Sequence, residues 1–126
     1  MALKVKDFIA LTMATLKADG KRKYSEYKAI KDYAQKLNMD SREVQQCIGN
    51  ELSEPSDISD VISSIHDEAD RLSALEACIA VAIADNLFAQ KEIDLLLPIC
   101  KALGFDEDTL MNLTDHIFAK EEKSED

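Results

Sequence analysis

Residues 74–92 read ALEACIAVAIADNLFAQKE. The opening stretch, ALEACIAVAIAD (74–85), is apolar nearly all round, with Glu76 the only charge before Asp85. A helix with no polar face has nowhere to sit but the middle of a core. Ser73 with Glu76 three residues on reads as a capping box opening it. At Asp85-Asn86 the pattern breaks, and a second helix resumes near residue 90. A buried helix, a corner and a second helix decide the fold class.

Every other long segment keeps the three-and-four spacing of a helix face. Val5, Phe8, Ile9, Thr12, Met13 and Leu16 form the first, closed by Gly20. Ser25 caps the second, with Tyr27, Ile30, Tyr33, Ala34 and Leu37, closing at Asn38. Asp40 with Glu43 starts a third carrying Val44, Cys47 and Ile48, stopped by Gly49-Asn50. After the linker-like ELSEPSD (51–57), one helix over 58–72 aligns Ile58, Val61, Ile62, Ile65, Ala69 and Leu72. The sixth helix spans 90–103, bent at Pro98 and capped by Gly104. The last follows Asp106 with Leu110, Leu113, Ile117 and Phe118. No segment alternates with period two. The expectation is an all-α chain, a single compact bundle of about seven helices.

At 126 residues, 46% hydrophobic and 32% charged, the chain suits one soluble domain. That domain is expected over residues 1–119, with 120–126 (KEEKSED) a disordered charged tail. The net charge of −10 argues against nucleic acid and anionic membranes. Its one dense basic run, Lys21-Arg22-Lys23, reads as a solvated corner. Three cysteines without a CxxC spacing point to buried free thiols and a reducing, cytoplasmic setting. The N-terminal run is too short and too charged for a signal peptide, and no stretch approaches the roughly 18 apolar residues of a membrane span.

Sliding the chain by 66 positions aligns it with itself without gaps. Ala14 falls on Ala80, Ala18 on Ala84, Asp19 on Asp85, Glu26 on Glu92, Leu37 on Leu103 and Asp40 on Asp106. Apolar character pairs as well: Met13 with Ile79, Ile30 with Leu96, Tyr33 with Ile99, Met39 with Phe105, Val44 with Leu110. The repeat covers about 8–48 and 74–114 and implies two similar halves packed face to face.

Those residues carry a family resemblance. The first corner ADG (18–20) with Glu26, LNMD (37–40), the second AD (84–85) with Glu92, and LGFD (103–106) resemble the TerB-like family of tellurite-resistance domains. The resemblance covers about residues 5–118 and implies a seven-helix bundle, bacterial and cytoplasmic, with acidic positions proposed to bind metal. It implies no enzyme activity. Related domains also occur in J-domain co-chaperones, but this sequence shows no His-Pro-Asp signature, so that role does not carry over. Two departures stand out: Arg22 replaces the usual apolar residue three past Asp19, while Phe88 keeps it in the second corner, and Asn86 replaces the glycine. Positive charge beside Asp19 weakens cation binding there.

Asp19, Glu26, Asp85 and Glu92 therefore have two readings. Carboxylates are the ligands a hard divalent cation such as calcium or magnesium takes, and two corners could pool four of them. Alternatively, each Glu offsets the dipole of the helix it opens, and each Asp bonds the reversing backbone. Neither corner has the alternating acids of an EF-hand. His66 and His116 stand in charged helix segments and read as solvated. With no nucleophile constellation, phosphate loop or zinc spacing, the sequence points away from an enzyme. It points to a non-enzymatic binding or adaptor domain with a protein partner, or alternatively to a divalent-metal-binding protein using the repeated corners.

Overall fold

In a computed structural model of the chain, the described residues are 3–18, 24–83 and 90–124. The central stretch behaves as its composition dictates. Ala74, Leu75, Ala77, Cys78, Ile79 and Val81 are all buried on one helix, α5 (Glu68–Ala82). Around it stand α1 (Val5–Ala18), α2 (Tyr24–Lys36), α6 (Gln90–Ala102) and α7 (Glu107–Ser124), each packed against α5. α3 (Ser41–Ser53) packs on α1 and α2, and α4 (Ile58–Ser64) on α1. The described residues thus form seven helices and no strand. α1 is the second hub, touching α2 through α6, and its Phe8, Ile9 and Leu11 are fully buried. Each such side chain contributes about 1.5–3 kcal/mol on leaving water.

The offset of 66 reappears in the hydrogen bonds. Shifted by that number, the bounds of α2 (24–36) become those of α6 (90–102), and the first residue of α3 (41) becomes that of α7 (107). At the α2–α3 junction the Asn38 N–H donates to the Gln35 carbonyl and the Met39 N–H to Ala34, both at 3.0 Å. At the α6–α7 junction the Gly104 N–H donates to Lys101 and the Phe105 N–H to Cys100, again at 3.0 Å. This is the Schellman closure, which needs a left-handed residue after the helix. Asn38 (φ 60°) and Gly104 (φ 96°) supply it. Asp40 then accepts the Glu43 N–H at 3.0 Å, and Asp106 the Thr109 N–H at 2.9 Å, so both following helices open under the same cap.

Three boundaries differ from the sequence expectation. Gly49-Asn50 does not stop α3, which continues to Ser53. Its buried stripe runs Val44, Ile48, Glu51, and the Glu51 carboxylate turns back to accept the Ser56 N–H at 2.8 Å. That extra turn ties down the α3–α4 loop and outweighs a glycine penalty of about 1 kcal/mol. The single helix expected over 58–72 is broken: α4 ends at Ser64 and α5 begins at Glu68. A continuous helix would bond the Ala69 N–H to the Ile65 carbonyl. Instead the Asp67 carboxylate takes the Ala69 N–H at 2.8 Å, and Arg71 Nε donates to the Ile65 carbonyl at 2.7 Å. The opening of α5 therefore lies at Asp67, and the Ser73–Glu76 pair falls inside the helix. Lastly, the backbone stays helical to Ser124, where disorder was expected from residue 120. Lys and Glu are strong helix formers, which favours the continuation of the α7 backbone into this segment.

α2 starts at Tyr24, which puts Ser25 in its first turn rather than at the cap. α6 continues through Pro98, whose side chain is exposed.

Candidate functional site

Both acidic corners follow a hub helix. α1 ends at Ala18, immediately before Asp19. α5 ends at Ala82 with Ile83 as its cap, the Ile83 N–H donating to the Ile79 carbonyl at 3.1 Å, two residues before Asp85. Across each corner the chain enters a helix whose third residue is the glutamate: Glu26 in α2 and Glu92 in α6. The third residue of a helix lies in the turn where free N–H groups and the dipole favour negative charge. Asp19, Asp85, Gly20 and Lys21-Arg22-Lys23 lie outside the described residues, as do the side chains of Glu26 and Glu92. Among the described residues, no group of three or more His, Cys, Asp or Glu side chains could hold a metal ion.

Burial disfavours the thiolate form of all three cysteines. Cys78 is fully buried between hub helices, and burial pushes its thiol up to about 11 despite the Thr15 hydroxyl beside it. The Cys100 thiol donates to the Asp106 carbonyl at 3.3 Å, and burial raises its pKa too. Cys47 is half-buried and raised by burial, then by the Glu43 and Glu51 carboxylates. A thiolate nucleophile needs the opposite shift. His66, in the α4–α5 break, and His116, on α7, are both exposed. Tyr33 stacks on Phe8 with ring centroids 6.1 Å apart, and burial pushes its phenol pKa up. Cys78, Cys100, Phe8 and Tyr33 thus belong to the core or pack against it.

Two polar residues that the sequence reading passed over hold conspicuous positions. Arg71 donates to the carbonyls of Ile65 (2.7 Å), Leu103 (3.3 Å) and, at the limit, Ile62 (3.5 Å). One guanidinium thus closes the end of α4 and touches the end of α6. Asp7, in the first turn of α1, is only 6% exposed, and burial raises its pKa against the pull of Lys6 and Lys4. The signal for Asp7 was present: Leu3, Asp7 and Leu11 stand four apart, so Asp7 lies on the core-facing side of its helix. No comparable local signal marks Arg71, whose partners lie as far as 32 residues away.

No helix among the described residues is long and apolar enough to cross a membrane. A family model described as tellurite resistance protein TerB matches residues 6–115. No curated protein and no solved structure gives a match. The matched span takes in both acidic corners and both Schellman junctions, and on it the chain belongs to the TerB family.

Proposed function

We propose that this TerB-family chain is a non-enzymatic binding or adaptor domain, cytoplasmic, acting through a protein partner in a bacterial stress or tellurite response. The observation that carries this reading is the family match over residues 6–115, nearly the whole bundle. The raised thiol pKa values of Cys47, Cys78 and Cys100 support it by withdrawing the cysteines from covalent chemistry. A net charge of −10 favours a basic protein surface over nucleic acid as the partner.

A second reading rests on the corners. Glu26 and Glu92 occupy the same third position of two helices whose bounds coincide at the 66-residue offset, each following an Asp at a hub-helix end. That recurrence supports a divalent-cation site built from Asp19, Glu26, Asp85 and Glu92 as readily as it supports capping.

Thermal melts in chelator, then with excess calcium, magnesium, manganese or zinc, separate the two. A cation at about a hundred times its dissociation constant stabilises the fold by roughly 2.7 kcal/mol, a rise of several degrees. A rise with one cation, abolished in the Asp19→Ala/Asp85→Ala double variant, makes the corners a metal site. No rise with any cation, but a lower midpoint in each single variant, makes them caps. For the adaptor reading, a captured protein must stay bound in chelator and dissociate in high salt; loss in chelator alone transfers the partner contact to the metal.

A further inference from the structure

Three acids are buried in the described residues: Asp7, Glu51 and Asp70. Glu51 accepts the Ser56 N–H, and Asp70 is engaged. No hydrogen bond or ion pair engages the Asp7 carboxylate among the described residues, although Lys6 and Lys4 are near enough to lower its pKa. A buried carboxylate left unpaired is costly, and such groups mark places where something else completes the shell.

Asp7 lines a groove between the start of α1 and the side of α4, together with Lys6, Ser56, Asp57, Asp60 and Ser64. Three carboxylates face one ammonium there. One oxygen of Asp57 already caps α4 through the Ser59 N–H at 2.9 Å, and the Ser64 hydroxyl donates to the Val61 carbonyl at 2.7 Å. The groove therefore offers acceptors. A single metal ion does not match it, since no three acids of the described residues stand close enough to share one. An ammonium or guanidinium does, because its several N–H donors reach acceptors spread over the width of a side chain.

We propose that the α1–α4 groove is a binding site for an organic cation, a primary ammonium or guanidinium, seated on Asp7 with Asp57 and Asp60 at its rim. The cation is supplied either by a free polyamine or by a basic side chain of a partner protein; both present the same head group. This site is separate from the acidic corners, and its failure leaves the readings of those corners unchanged.

Backbone amide NMR of the full chain tests it, with spermidine in one titration, a short lysine-glycine peptide in another, and sodium chloride of matched ionic strength as control. The expected result is saturable shifts at residues 7, 56, 60 and 64 in at least one organic-cation arm and none with sodium chloride. Asp7→Asn then weakens that binding by about tenfold or more while the rest of the spectrum is retained. Saturation with spermidine alone assigns a free amine, and with the peptide alone a partner side chain. Should Asp7→Asn not fold, Asp60→Asn carries the same test at an exposed position. Shifts that follow ionic strength alone, or saturable binding that both variants leave intact, overturn the proposal. So does the absence of any shift, in which case Asp7 is only a first-turn charge of α1.

Discussion

Arg71 shows at the scale of one side chain why this fold needs more than helix propensity. Its guanidinium replaces the backbone donor that Ile65 loses where α4 stops, adds to the Ile65 N–H already bonded to the Ile62 carbonyl, and reaches Leu103 at the end of α6. Arg71→Ala removes the side-chain donor to the Ile65 and Leu103 carbonyls and is expected to cost about 2 kcal/mol by denaturant unfolding. Arg71→Lys recovers little of it, since a point charge cannot fork to three acceptors. Asp106 acts differently. Its carboxylate accepts the Thr109 N–H (2.9 Å) and hydroxyl (2.8 Å), and these bonds hold its pKa below the usual 3.8. A folded-state pKa below the unfolded one means stability that is present above 3.8 and lost as pH falls through the folded value. Asp106→Asn keeps a capping acceptor but cannot titrate. The stability gap between the natural chain and this variant is therefore expected to close on the acid side of 3.8, as read by melts across pH. A constant gap would place the acid response elsewhere.

At the scale of the helix, the apolar spacing was legible and the interruptions were not. The faces of α1, α2 and α6 follow from period, and the placement of α5 from its lack of a polar face, because burial acts on every turn. The α4–α5 break falls at Asp67, six residues before the expected Ser73 cap, where the Asp67 carboxylate takes the Ala69 N–H and Arg71 takes the Ile65 carbonyl. Gly49 misled for a related reason: the local stop signal lost to a stripe that continues to Glu51. Its position also yields a prediction. Gly49 is exposed in mid-helix, and a Cβ built there meets nothing within 4 Å. Gly49→Ala should stabilise the chain by up to about 1 kcal/mol, visible as a higher melting midpoint. A fall would mean that α3 depends on flexibility at that turn.

For the molecule as a whole, the 66-residue offset was readable because identities such as Leu37 with Leu103 and Asp40 with Asp106 fall at helix junctions, where backbone geometry restricts residue choice. Of the candidate site, the sequence carried only the residue types and their register. Whether two corners approach each other depends on how α1 and α5 cross, and no local pattern encodes a crossing angle. Since α1 and α5 each bury a face against helices of the other half, neither half is expected to fold alone. A chain of residues 1–57 should give a coil-like circular dichroism spectrum, with helicity returning on mixing with 58–126. Independent folding of 1–57 would make α5 dispensable to the first half.

The reach of Arg71 has one more consequence, for the order in which the native state comes apart. α4 has seven residues, too few to hold its own amides against solvent. Yet the side chain that closes it is rooted in buried α5 and also touches the end of α6. Amide exchange in α4 is therefore governed by the opening of that junction, not by fraying, and its protons should be replaced in step with those at the end of α6. The shortest helix thus reports on the release of the second half.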